Sequence, residues 1–158
     1  MKVLIAGATG AIGRPLISAL IRAGHQAVGI TTTESGLETL HELEAEGVVA
    51  NVLDLQAIQS AVARIMPDAV IEELTSLPKR YTPEEMRSAA ERDHRVRLEG
   101  GGNVHHAART AGVKRYIVQS TGFFYASGTG LAVETDPLSV SLGRFPGSCG
   151  KCANLHSG

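Results

Sequence analysis

Three glycines spaced as Gly7-Ala-Thr-Gly10-Ala-Ile-Gly13 stand between a short apolar run, Lys2 to Ala6, and a stretch of helical periodicity that begins at Ile12. Few chain paths satisfy that arrangement. A strand leading straight into a helix must turn tightly, and glycine supplies crowded or left-handed backbone positions without a Cβ penalty. Lys2-Val-Leu-Ile-Ala6 is apolar without alternation, the pattern of a strand buried on both faces of a parallel sheet. Ile12, Leu16, Ala19, Leu20 and Ala23 then recur at helical spacing up to Gly24, a natural stop.

The alternation continues. Gln26 to Ile30 reads as a second strand, and Glu34 to Glu46 as a helix closed by Gly47. Val48 to Leu53 reads as a third strand, Gln56 to Met66 as a helix stopped before Pro67, and Asp68 to Ile71 as a fourth strand. Pro83 suits a first helical position and opens a long polar helix, interrupted near Gly100-Gly101-Gly102. Val104 to Ala111 resumes the helix, Gly112 ends it, and Arg115 to Gln119 forms a fifth strand. Five such units predict an α/β fold, a Rossmann-type three-layer α/β/α arrangement on a mainly parallel sheet with right-handed crossovers.

Length and charge narrow the field. A chain of 158 residues with 43 % hydrophobic and 20 % charged residues suits one packed domain. Lys plus Arg number 15 against 16 Asp plus Glu, so no general basic field points to nucleic acid. No apolar run approaches the roughly 18 residues of a membrane helix, and Val3 to Ala6 is too short for a signal-peptide core. The expectation is a cytoplasmic protein without a membrane partner.

The glycine spacing has a chemical reading. Gly7 permits the turn, Gly10 lets the backbone approach a pyrophosphate, and Gly13 allows close helix–strand packing. The helix start adds free N–H groups and a partial positive charge. Thr9, Ala11, Ile12 and Arg14 complete this expected cofactor-binding loop; the bland alternative is a plain tight turn. After the second strand come Thr31-Thr32-Thr33, with Glu34 only afterwards. A carboxylate ending that strand would favour NAD by bonding the ribose 2′-hydroxyl. Its absence, with Arg14 near the helix start, tilts the expectation from NAD toward NADP.

From these features residues 1–138 resemble the extended or atypical short-chain dehydrogenase/reductase superfamily, the NAD-dependent epimerase/dehydratase group. GATGAIG at 7–13, Asp54-Leu55, Ala111-Gly-Val-Lys-Arg-Tyr-Ile-Val118 and Gln119-Ser-Thr-Gly-Phe-Phe-Tyr125 carry the resemblance. It implies an NAD(P)-dependent oxidoreductase, epimerase or dehydratase acting on a small carbonyl or hydroxyl substrate. By the same resemblance Asp54 accepts from the adenine amino group with Leu55 beside the ring, and Leu74 and Thr75 line the cofactor between its riboses. Thr121, or the neighbouring Ser120, falls at the catalytic Ser/Thr. Each has a simpler role open to it: Asp54 as a helix cap, Ser120 and Thr121 as partners of strand-end backbone. The superfamily's homodimers suggest that the charged stretch Glu84 to Glu99 could pack on a second copy.

The chain departs from that pattern in one chemical respect. Superfamily chemistry uses a Tyr with a Lys four positions on, the Lys lowering the phenol's pKa from about 10. Tyr81, Tyr116 and Tyr125 are the only tyrosines, and none has that Lys. Residues 139–158 contain no Asp or Glu, four Gly, four Ser and both Cys, and read as an atypical tail, disordered or frame-shifted, after a body truncated past the fifth strand. Cys149-Gly-Lys-Cys152 with His156 falls short of a four-ligand zinc site, so no metal is expected. Missing Tyr/Lys chemistry supports a second reading, a non-catalytic module that senses NADP(H). Of Glu72 and Glu73, adjacent on a strand and therefore facing opposite ways, exposure at the strand end is the expectation.

Overall fold

The apolar run at the N-terminus forms the centre of the sheet. In the computed structural model, which describes residues 1–120, 125–126 and 133–138, strand β1 (Lys2–Ala6) pairs in parallel with β2 (Gln26–Thr31) on one side and β4 (Ala69–Glu72) on the other. The register sets Ala6 beside both Ile30 and Glu72. Strands β3 (Glu46–Val49) and β5 (Arg115–Val118) complete an all-parallel sheet of order β3-β2-β1-β4-β5. Because successive side chains alternate faces, Val3 and Ile5 enter one core with Ile17 and Leu40, while Leu4 and Ala6 enter the other with Ile58, Val62 and Val104. Helices α1 (Gly13–Arg22) and α2 (Glu34–Glu42) cover the first face; α3 (Leu55–Ile65) and α5 (Gly101–Thr110) cover the second. This is the expected three-layer α/β/α Rossmann-type architecture. Beyond β5, Tyr125 and Leu138 form an isolated antiparallel bridge. No helix among the described residues is long and apolar enough to cross a membrane.

Helix starts follow their chemistry. Thr33, Asp54 and Thr82 cap α2, α3 and α4 (Pro83–Arg95) by accepting from the amides of Gly36, Ala57 and Glu85 at 3.1, 3.0 and 3.2 Å. Such caps occupy amides that a helix leaves unpaired. At α1 the N-cap is Ile12, no side chain bonds the first turn, and that turn carries no acidic residue.

Several boundaries differ from the sequence expectation, and β3 closes at Val49 rather than Leu53. The second helix ends at Glu42, not at Gly47: Glu44 takes a left-handed φ of 59° and the Ala45 amide returns to the Leu40 carbonyl at 3.0 Å. That early close moves β3 forward to Glu46. The triple glycine does not interrupt the long helix either. Helix α4 continues through a π-turn, Val96–Gly100, directly into α5. Glycine serves proximity here, since a Cβ at Gly101 would strike the Glu72 carboxylate.

Replacing glycine by alanine inside a helix usually stabilises by about 1 kcal/mol. At Gly101 the buried carboxylate reverses the sign, because overpacking costs about 1–3 kcal/mol. Gly101→Ala should lower the urea midpoint; a raised midpoint would show that the helix does not lie this close to the sheet.

Candidate functional site

The strand order reverses between β1 and β4, and crossovers leave those two strands in opposite directions, opening a crevice at their carboxyl ends. The glycine loop forms one wall. Gly7 adopts φ 93°, and a Cβ on it would strike the main-chain carbonyl of Glu73. The Glu73 amide in turn donates to the Ala6 carbonyl at 2.8 Å, so the ends of β1 and β4 are in direct contact. Gly13 is equally confined, against the carbonyls of Gly7 and Ala8. Gly10 is not: its amide donates to Gly7 at 3.0 Å, and an added Cβ would meet only the Gly7 carbonyl, at 3.1 Å. Its outer side is open. The amides of Ala11 and Ile12 have no backbone partner among the described residues, and Arg14 reaches back to donate from Nε to the Thr9 carbonyl at 2.9 Å. Open glycine, unclaimed amides and an uncapped helix start fit a pyrophosphate.

The other strand ends surround this wall. Thr31 is 6 % exposed; its Oγ1 accepts from the Thr33 amide at 3.4 Å and lies where a Cβ of Gly36 would be. Its hydroxyl thus supports the start of α2, while Thr32 and Thr33 are exposed. No carboxylate lies between Thr31 and the start of α2. Asp54 does cap α3 through Oδ1, and Leu55 beside it is exposed. Leu74 is buried in the core beneath the crevice, with Thr75 exposed above it. Ser120 is exposed just past β5, and the Gln119 amide donates to the Glu72 carbonyl at 3.2 Å, which brings this segment to the end of β4. Thr121 lies outside the described residues, as do Cys149, Cys152 and His156. Among the described residues no three His, Cys, Asp or Glu side chains gather to hold a metal ion.

The paired carboxylates are drawn inward, contrary to the expected exposure. Glu72 is 5 % exposed. It accepts a hydrogen bond from the Tyr116 hydroxyl on β5, whose ring meets His105 edge-on with centroids 4.9 Å apart. Burial, then the Glu72 charge and the hydrogen bond to it, push the Tyr116 phenol far above its ordinary value. That is opposite to what a catalytic phenolate requires. Glu73 is half-buried, and its Oε2 is enclosed with no hydrogen-bond partner among the described residues. Burial chiefly, then the charge of Glu72, raises its carboxyl.

Sequence reading missed Asp93. It is 6 % exposed and accepts from the Ser76 amide at 2.5 Å and from Arg97 Nε at 2.8 Å. Arg92 Nε donates to the Ser76 hydroxyl at 2.7 Å. Together they fasten the segment after Thr75 to α4. The Asp93–Arg97 spacing of four residues was the available signal.

The sequence model of a family described as the NAD dependent epimerase/dehydratase family matches residues 3–142. A 3-diazoavenalumate denitrifying reductase of Streptomyces sp is 37 % identical over 141 residues, covering 89 % of this chain and 44 % of the relative. The UDP-glucose 4-epimerase of Thermus thermophilus, solved with NAD, superposes with a TM-score of 0.72 at 22 % identity, over 88 % of this chain and 44 % of that one. The UDP-glucose-4-epimerase of Stenotrophomonas maltophila, solved with NAD and formylated UDP-arabinopyranose, gives 0.75 at 20 % identity, over 94 % and 44 %. The chain thus spans less than half the length of these relatives.

Tyr116→Phe would leave the buried Glu72 carboxylate without its donor, a loss of about 1–3 kcal/mol. The folded phenol keeps its proton to higher pH than an unfolded one, so its contribution is complete below about pH 10 and lost as pH rises above that. Thermal melts should show a lower Tm for the variant at neutral pH and a shallower decline than the wild type above pH 10. Identical alkaline limbs would overturn the assignment.

Proposed function

We propose, from the premise that this chain belongs to the NAD-dependent epimerase/dehydratase family, that residues 1–138 bind a nicotinamide dinucleotide across the crevice between β1 and β4. The observation that carries this reading is the glycine loop, with Gly10 open toward the crevice beside the uncapped start of α1. The amides of Ala11 and Ile12 would hold the pyrophosphate, and Gly10 would let it approach. Asp54 has Oδ1 engaged in its cap and would offer its other oxygen to the adenine amino group, beside exposed Leu55. Leu74 and Thr75 would form the floor between the riboses. With no carboxylate at the end of β2 and Arg14 beside the loop, NADP is the favoured cofactor. When bound, the nicotinamide supplies or accepts a hydride.

The activity proposed for the family context is redox chemistry on a small carbonyl or hydroxyl substrate, in keeping with the reductase at 37 % identity. Ser120 or Thr121 would hydrogen-bond the substrate oxygen. Within these 158 residues, however, no Tyr is followed four positions on by Lys, and Tyr116 is committed to Glu72. Binding without turnover by this chain follows. The same observation favours a second reading, a module that senses NADP(H).

Calorimetric titration with NADP, NADPH, NAD and NADH tests this. Saturable binding, tighter for the phosphorylated pair, is expected, together with no change at 340 nm when aldehydes or ketones are added. Gly10→Val should abolish binding, since a side chain would fill the pyrophosphate approach. Unchanged affinity in that variant would refute the loop assignment.

A further inference from the structure

The enclosed oxygen of Glu73 has no task in the scheme above. An unpartnered carboxylate oxygen in the interior is costly when ionised, so its position calls for an explanation. Glu73 is the first residue past β4. Its amide bonds to Ala6, its carbonyl and Cβ lie directly against Gly7, and the Gly7 carbonyl receives the Gly10 amide. The main chain and Cβ of Glu73 therefore stand behind the turn whose outer side faces the crevice.

We propose that Glu73 belongs to the dinucleotide site and takes up a proton from solvent when the anionic pyrophosphate settles on the glycine loop. The inference rests on the dinucleotide reading given above. Two negative groups brought close in a partly dry site cannot both remain charged without cost, and the carboxylate is the one that can be neutralised. Its surroundings leave it in control of that proton. Ala6 and Gly7 carry no titratable side chain, and Gln119, at the end of β5, is neutral. Arg14 at the head of α1 is engaged with the Thr9 carbonyl, and Asp93 of α4 is matched by Arg97. Glu72, on the opposite face with Tyr116, is the charge that acts on Glu73, and it pushes the same way, toward the protonated acid.

The sign follows from the linkage. Binding takes up a proton where the free carboxyl is ionised and the carboxyl in the complex is protonated, so affinity is greatest at low pH and falls as pH rises from the carboxyl's range in the free protein to its raised range in the complex. Each pKa unit by which the ligand raises the carboxyl corresponds to a tenfold change in Kd. The probe is NAD⁺, whose pyrophosphate charge is constant between pH 5 and 8, titrated into the full chain by calorimetry in buffers of different ionisation enthalpy. Kd should weaken by about tenfold across that range, with net proton uptake over the interval in which Kd changes. Glu73→Gln should bind with a flat pH profile and no uptake, and more tightly than the wild type at pH 8. A flat wild-type profile, or the same slope and uptake in Glu73→Gln, would overturn the role of Glu73 while leaving the dinucleotide reading intact. Absence of NAD⁺ binding at every pH by a folded chain would overturn both.

Discussion

The contact between Gly7 and the main chain of Glu73 sets the geometry of the whole carboxyl edge. Strands β1 and β4 are neighbours in register, and their crossovers then leave in opposite directions. The chain at the end of β1 must turn within one residue while the end of β4 lies alongside. A left-handed φ of 93° achieves the turn, and the missing side chain allows the approach. From that point the loop has one course: Gly10 bonds back to Gly7, Gly13 seats against Gly7 and Ala8, and α1 begins facing the crevice. The course of the loop is thus a consequence of packing at the strand ends.

The second organising element is the acid at the end of β4. A buried carboxylate is tolerated only when donors meet it. Glu72 receives the Tyr116 hydroxyl, and the helix passing over it is glycine where it comes closest. The interior thereby ties β4, β5 and α5 together at one polar point within an apolar core. Asp93, also buried, acts similarly beyond the same strand end, joining Ser76 to α4. One buried acid thus ties β4 to β5 and the other holds the segment that leaves β4.

Legibility in the sequence divided along physical lines. Strand β1, the glycine loop, α1 and the capping Asp54 were readable because each depends on residues within a few positions of one another. The end of α2 was not, because a non-glycine residue, Glu44, takes the left-handed position that glycine usually marks. The glycines at 100–102 misled for the converse reason: their value lies in contact with Glu72 on a distant strand. The burial of Glu72 depends on Tyr116, 44 residues later, and no local pattern reports such a pairing. The position of Thr31 was readable as a strand end, but its inward hydroxyl depends on the absence of a side chain at Gly36.

These features bear on how the fold separates binding from chemistry. The groups proposed to hold a dinucleotide lie in the loops and helix starts that follow β1 to β4, where the crossovers position them. The chemistry of the wider family needs a phenol of lowered pKa, and the one phenol the sheet secures, Tyr116, is held in the opposite state by burial and a carboxylate. A proton donor suited to hydride chemistry would have to enter the crevice from outside these strands. Glu73 is an acid already at its edge, but one of its oxygens is enclosed, which withholds it from a substrate above. On the proposed reading the sheet supplies a cofactor platform, while Glu72, Asp93 and Tyr116 are committed to holding its strand ends in place.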